Sequence, residues 1–216
     1  MSCYKISEDT KKALIHAAGE LFAERGLELV SVRQITERAG VKVSAISYHF
    51  GGKEGLIRAV EKYAESGWNN KHLENHYQQN QHLLNTTDGQ RQLVAELFKI
   101  LFAMICPEGQ PAWVNMFLMR RIMSWWAPHE DSANRRLCYP SQLLFCAIYQ
   151  QITGNNDQVT AQCWFVNVVG AAVIYASNLT ALEKVKSGEE INYAFYRRIQ
   201  YHAIRNAFYG LGLEEK

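Results

Sequence analysis

The residue types that could do chemistry gather between positions 31 and 53. Ser31, Arg33, Lys42, Ser44, Ser47, Tyr48, His49 and Lys53 bring hydroxyls, an imidazole, a guanidinium and two ammonium groups into one stretch, SVRQITERAGVKVSAISYHFGGK. Such a set offers donors for phosphate oxygens and mixed groups for base edges, but no nucleophile paired with a base that a third group orients. Its chemistry is recognition. Arg33, Arg38, Lys42 and Lys53 against Glu37 leave the stretch at +3, four cations less one carboxylate, on a chain of 216 residues whose net charge is only +2. A local basic patch on a near-neutral chain favours a defined docking surface over a general polyanion binder.

Other constellations are absent or incomplete. His72 and His76, at i and i+4 in HLENH, could share a metal on one helix face, but the H-E-x-x-H pattern is not there and no third ligand follows. The chain has no G-x-S-x-G, no phosphate-cradling glycine loop and no Cys-His signature, so no catalytic site, metal or other cofactor is expected. The five cysteines, Cys3, Cys106, Cys138, Cys146 and Cys163, are odd in number and lack a C-x-x-C, which predicts reduced thiols in a cytoplasmic protein. No apolar run is read as reaching the roughly 20 residues of a membrane span, and the N-terminus has no signal-peptide core, so no membrane is expected as a partner.

The recognition groups need short, well-defined elements to hold them. Ser31-Val-Arg-Gln34 is a capping box that starts a helix, with Val32, Ile35 and Ala39 on a narrow apolar face and Arg33, Thr36 and Glu37 outward. Gly40 ends it in the left-handed region, and Val41 plugs the turn. A second helix is predicted from an N-cap at Ser44, with Ile46 and Phe50 inward and Ser44, Ala45, Ser47, Tyr48 and His49 displayed. A helix this short is marginal in water, so its neighbours must hold it. One neighbour is a helix over about 8–25, whose Leu14, Ala17, Ala18, Leu21 and Phe22 follow the amphipathic template, preceded by a frayed arm at 1–7 that includes Lys5. Another is predicted from Lys53 to about Trp68 through Leu56, Ile57, Val60, Tyr63 and Ala64. Two helices joined by a tight turn, the second polar on its outer face, are the layout of a DNA-reading helix-turn-helix.

From Leu14 to Val60, and above all in LIHAAGELFAERG, SVRQITERAGV and SAISYHFGGKEGL, the chain resembles the DNA-binding domain of the tetracycline-repressor (TetR) family of bacterial transcription regulators. The resemblance covers about a fifth of the chain. Two positions depart from it: Val43 stands where a polar or basic residue is common, and Gly51-Gly52 replaces a pair that usually carries a Lys or Ser. The resemblance implies that Ser31, Tyr48, His49 and Lys53 grip phosphates, with Lys42 also at the interface, and that Arg33, Val43, Ser44, Ala45 and Ser47 meet base edges. Val43 or Ala45 would suit a thymine methyl group.

The remaining chain reads as helical throughout, without strand signals or repeats. A short, mobile helix with loops is expected over 69–88, then helices over about 90–105, 111–126 (closed by Pro128), 135–153 around Pro140, 159–182 and 191–209. The expected architecture is therefore all-α: a three-helix DNA-binding domain over 1–52 containing the helix-turn-helix, followed by a larger helical ligand-binding and dimerisation domain over 53–216. The middle of the chain is rich in Met and aromatics. Trp68, Phe98, Phe102, Trp113, Met116, Phe117, Arg120, Phe145 and Tyr149, with Met104, Met119, Trp125 and Trp126 nearby, read either as core or as the wall of an apolar cavity. The resemblance implies the cavity, and with it an apolar or aromatic small-molecule effector. The last two helices carry wide apolar faces at Trp164, Val168, Ala171, Ala172, Tyr175 and Leu179, and at Phe195, Ile199, His202, Ala203 and Phe208. Internal core is one fate for these faces. The resemblance implies the other, a four-helix bundle with a second copy, in which Trp164, Val168, Ala172, Tyr175, Phe195, Ile199 and His202 form the interface.

The function these readings imply is a ligand-responsive regulator, not an enzyme. As a homodimer it would bind an inverted-repeat, double-stranded operator and be released by a small molecule. The alternatives are an activator of the same fold, or a helical dimer or enzyme with an apolar cavity that does not bind DNA.

Overall fold

The structure, a computed structural model, describes residues 3–123, 134–177 and 193–214. Among them every regular element is helical: α1 Cys3–Arg25, α2 Val32–Ala39, α3 Ser44–Phe50, α4 Lys53–Glu65, α5 Asn70–Asn80, α6 Thr87–Ile105, α7 Ala112–Met123, α8 Tyr139–Thr153, α9 Gln158–Ser177 and α10 Tyr193–Leu211. A 3-10 turn at Gln81–Asn85 follows α5, and a π-helical turn at Asn134–Cys138 precedes α8. The expected all-α class holds.

The chain forms two compact units. The first is Met1–Ser66 together with Gln110–Arg120; the second is Gly67–Gly109 together with Arg121–Lys216. By compactness, α4 and most of α7 group with the helix-turn-helix. The division after residue 52 follows the motif instead.

In the first unit Leu14, Ala18, Phe22, Ile35, Ile46, Leu56 and Val60 are wholly buried and form the core shared by α1 to α4. α1 starts at Cys3, five residues before the expected position, because nothing in residues 3–7 breaks a helix; Met1 and Ser2 lie outside the described residues. α4 ends at Glu65, short of Trp68 and just ahead of Gly67.

In the second unit the core is aromatic. Phe98 and Phe145 stack with centroids 4.3 Å apart, Phe98 also meets Phe102 at 5.7 Å and Trp164 at 5.8 Å, and Phe145 meets Phe165 at 5.4 Å. Two buried aromatic heads find backbone partners: Tyr196 Oη donates to the Phe102 carbonyl at 2.9 Å, and Trp164 Nε1 donates to the Ala207 carbonyl at 3.2 Å. Gly210 makes room for that indole, since a Cβ there would lie 2.4 Å from Trp164 Cδ1. The segment expected to be a short mobile helix with loops is α5 and the 3-10 turn. Asn69 caps α5 by accepting from the His72 amide, and Leu73 and Leu84 are buried. Pro140 lies in the first turn of α8, where its missing N–H costs nothing, so the helix begins at Tyr139 and not upstream of it.

α9 overturns one expectation. It is 20 residues long and an 18-residue window within it has a mean hydropathy of 1.5, enough by length and composition to cross a membrane. Trp164, Val168, Ala172 and Tyr175 are nevertheless buried inside the second unit, where α9 packs on α8 and α10 as a core helix. The expected closure of the 111–126 helix by Pro128, Trp125, Trp126, Leu179 and the ends near 182 and 191 lie outside the described residues.

Candidate nucleic-acid interface

The capping box at Ser31 is closed in both directions. Ser31 Oγ accepts from the Gln34 amide at 3.3 Å, and Gln34 Oε1 accepts from the Ser31 amide at 2.8 Å. Two orphan donors of α2 are thereby satisfied by one pair. Gly40, at φ 67, ends the helix, and its amide and that of Val41 return to the Glu37 and Thr36 carbonyls. Thr36, expected outward, is 1% exposed. Its hydroxyl donates back to the Val32 and Arg33 carbonyls, which lets the methyl group join the core.

α3 is a probe anchored by one side chain. Ile46 is wholly buried, whereas Tyr48 is 83% exposed and Val43 55%. Ser44 and Ser47 are exposed too, Ala45, His49 and Phe50 are half-buried, and Lys42 is exposed in the turn. The helix begins at Ser44 itself, so the N-cap falls one residue before the expected one, at Val43, in helical conformation and without a side-chain cap, and the Ser44 hydroxyl is not used for capping. Tyr48 and His49 meet edge to face at 4.8 Å, which restrains both rings on the outer surface. Gly51 at φ 72 and Gly52 at φ 127 turn the chain into α4; both values are disfavoured for any side chain.

Two cations of the set are already engaged. Arg33 Nε donates to Glu37 Oε1 at 2.8 Å across one exposed turn of α2, and that bond and charge hold the guanidinium pKa above its ordinary value. Lys53 Nζ donates to the Leu27 carbonyl at 2.9 Å, tying the first turn of α4 to the loop between α1 and α2. An ammonium has three donors, so two remain. Sequence reasoning missed this clamp because its acceptor is a backbone carbonyl 26 residues away.

The residues expected around a cavity are divided between the two compact units. Trp113, Met116, Phe117 and Arg120 belong to the first unit, and Trp68, Phe98, Phe102, Phe145 and Tyr149 to the second. Phe98, Phe102 and Phe145 fill space against one another, Tyr149 packs on Trp164 at 5.3 Å, and Trp68 Nε1 donates to the Leu137 carbonyl at 2.8 Å. Arg120 is exposed and aims at the Glu24 carbonyl. Among the described residues, two grooves lie along α10. One groove of about 660 Å³ is bordered by Arg91, Tyr201, His202, Arg205 and Tyr209, and one of about 360 Å³ by Asn167, Ala171, Phe195, Ile199 and His202.

The expected interface helices divide by face. Trp164, Val168, Ala172 and Tyr175 turn into their own subunit's core, where Trp164 serves Ala207 and Tyr175 stacks on Tyr196 at 5.4 Å, so these four correct the expectation of an outward face. Phe195, Ile199 and His202 lie outward or half-outward on α10, and Val166, Ala171 and Ile174 outward on α9. The 3.6-residue period gives two faces, and the larger side chains on α9 took the inner one.

Nothing in the described residues assembles a metal site: no group of three His, Cys, Asp or Glu side chains converges. His76 Nε2 pairs with Glu96 Oε2 at 2.9 Å, and His72 does not join them. Cys106, Cys138, Cys146 and Cys163 are unbridged. Burial pushes the Cys106 thiol up to about 11 and that of Cys138 up to about 12, which leaves both protonated at neutral pH.

Residues 14–60 match the profile of the bacterial regulatory proteins, tetR family. The HTH-type transcriptional repressor Rv3405c of Mycobacterium tuberculosis is 42% identical over 53 residues, which cover 24% of this chain and 28% of the relative. The probable HTH-type transcriptional regulator YttP of Bacillus subtilis is 36% identical over 92 residues, 43% of this chain and 42% of YttP. The matched stretches thus span between about a quarter and two fifths of these relatives. A solved TetR-like transcriptional regulator from Rhodococcus sp. RHA1 has the same fold, with a TM-score of 0.54 at 14% identity over 94% of this chain and 96% of that one.

Proposed function

Because residues 14–60 make this chain a member of the tetR family of bacterial regulatory proteins, we propose that it is a repressor that reads an inverted-repeat DNA operator as a homodimer and is released by a small molecule. The observation that carries this reading is α3. A seven-residue helix anchored by the wholly buried Ile46 presents Ser44, Ser47 and the 83% exposed Tyr48 beside Arg33, Lys42 and His49.

In this reading Tyr48, His49, Ser31 and Lys42 position the unit on phosphates, and Arg33, Val43, Ser44, Ala45 and Ser47 meet base edges. Val43, exposed and apolar, suits a thymine methyl group. Lys53 holds the Leu27 carbonyl with one proton and offers the others to a phosphate. Two copies would set their α3 helices about one DNA turn, roughly 34–36 Å, apart or somewhat more. The outward residues of α9 and α10, with Phe195, Ile199 and His202 among them, supply the pairing surface. The effector belongs to the second unit, whose 660 Å³ groove has the size of a small-molecule site. Its affinity must differ between the free and DNA-bound states by the coupling energy, typically about 1–3 kcal/mol. The cytoplasm is the compartment this work requires.

Fluorescence anisotropy of the purified protein on DNA flanking its own gene, across a salt series, tests the proposal. One fragment should bind far more tightly than random DNA, with an affinity that falls steeply with salt and is lost in Tyr48→Ala. Equal binding of all fragments at physiological salt would sink it.

A further inference from the structure

The helix-turn-helix unit includes a segment that comes from far down the chain. Gln110–Arg120 group with Met1–Ser66, and two side chains of α7 account for this. The Trp113 indole, 5% exposed, lies flat over α1 at Gly19, where a Cβ would come within 2.3 Å of the ring. Any larger residue at position 19 would evict the ring. Trp113 Nε1 donates to His16 Nδ1 at 3.4 Å, and the indole stacks on Tyr63 of α4 at 5.6 Å and 22°. His16 closes the triangle edge-on to Tyr63 at 5.2 Å. Two turns later, Arg120 points a guanidinium nitrogen at the Glu24 carbonyl, 3.4 Å away. A cation there also complements the negative end of the α1 dipole. Trp113 meets His16 and Gly19 while Arg120 meets Glu24, so this part of α7 runs alongside α1 in the same direction.

α1 packs on α2 and α4, and α4 packs on α3. Whatever sets the angle between α1 and α4 therefore sets the attitude of α3. We propose that Trp113, seated in the Gly19 notch between α1 and α4, is a positioning residue for DNA reading. It touches no DNA and acts by holding the frame that aims α3. Arg120 secures the far end of the same splint. This inference rests on the DNA-reading role proposed above and assigns Trp113 a task different from lining an effector cavity.

The test uses the full chain. Gly19→Ala adds one methyl group under the indole and alters no outward residue, Trp113→Leu removes the ring, and the double variant gives the methyl group space. Operator affinity, its salt slope, and hydrogen exchange of residues 12–24 and 56–65 are measured for each. Gly19→Ala should weaken operator binding about tenfold and lower the protection of both helices by a similar factor, as overpacking of this size does. The salt slope should stay unchanged, because no phosphate contact is removed. Trp113→Leu should weaken operator binding as well, and the double variant should bind about as Trp113→Leu alone does, a non-additivity that ties the Gly19→Ala loss to this contact. If Gly19→Ala does not fold, Trp113→Leu supplies the same readouts. Wild-type affinity and protection in the folded variants, or strict additivity in the double variant, would overturn the assignment. If wild-type protein itself prefers no operator, the regulator reading fails, and the exchange of α1 and α4 alone decides whether Trp113 holds the frame.

Discussion

In the first unit Ile46 is wholly buried while Tyr48, two residues on, is 83% exposed; in the second, Phe98, Phe102 and Phe145 are all wholly buried and stacked on one another. The first unit has a mixed interior, in which aliphatic Leu14, Ile35, Ile46, Leu56 and Val60 pack with Phe22 and Trp113, and it leaves Ser44, Ser47, Tyr48 and Lys42 exposed. The second buries a stacked cluster of phenylalanines in its interior, and among its described residues two grooves lie along α10. A seven-residue helix can thus hold one face outward while a single side chain, Ile46, anchors it. An aromatic-rich composition does not by itself make a cavity, since the same residues close-pack when their rings can stack.

The largest expected effect comes from breaking the second unit's interior. Phe145→Ala should cost about 4 kcal/mol of stability in denaturant titration, because it removes the ring that joins Phe98 to Phe165. A loss below about 1 kcal/mol would mean that the cluster has slack around Phe145. Tyr48→Ala sharpens the other side of the contrast. It should leave the melting temperature unchanged and lower operator affinity about tenfold, read by anisotropy. A destabilised Tyr48→Ala protein would show that the exposed ring serves the fold.

Glu37→Gln should act in the opposite direction. Freed from its ion pair at 2.8 Å, Arg33 would raise affinity several-fold and steepen the salt dependence, since a negative charge facing DNA is removed as well. Unchanged affinity would take Arg33 out of the reading set.

The smallest effect concerns Glu96. The Gln92 side-chain amide first, and His76 second, hold its carboxyl pKa below the ordinary value. A carboxylate with a lowered folded-state pKa contributes stability above its unfolded pKa and loses it as pH falls through the folded one. Wild type should therefore exceed Glu96→Gln by less than about 1 kcal/mol at pH 7, given solvent screening of a group a third exposed, and the gap should close in acid, as thermal melts against pH would record.

What was legible in the sequence follows from range. The capping box at Ser31 and Gln34, the left-handed Gly40 and the inward Ile46 depend on neighbours within four residues, and all are found as expected. The inward turn of Trp164, Val168, Ala172 and Tyr175 depends on which face of α9 meets α8 and α10, and a helix apolar on nearly every side does not announce it. The Lys53–Leu27 clamp and the Trp113 seat on Gly19 are set by tertiary approach. Gly19 was the one available signal for the latter, since a glycine inside a good helix costs stability unless something lies against it.

The splint at residues 110–120 has a consequence for engineering. Chimeric regulators are usually conceived as a cut in the linear sequence, one parent's reading head joined to another parent's sensor. Here such a graft at residue 66 would leave Gly19 facing a foreign side chain and Tyr63 without its stacking partner. A functional transplant would carry residues 110–120 along with the first 66, making the portable piece discontinuous.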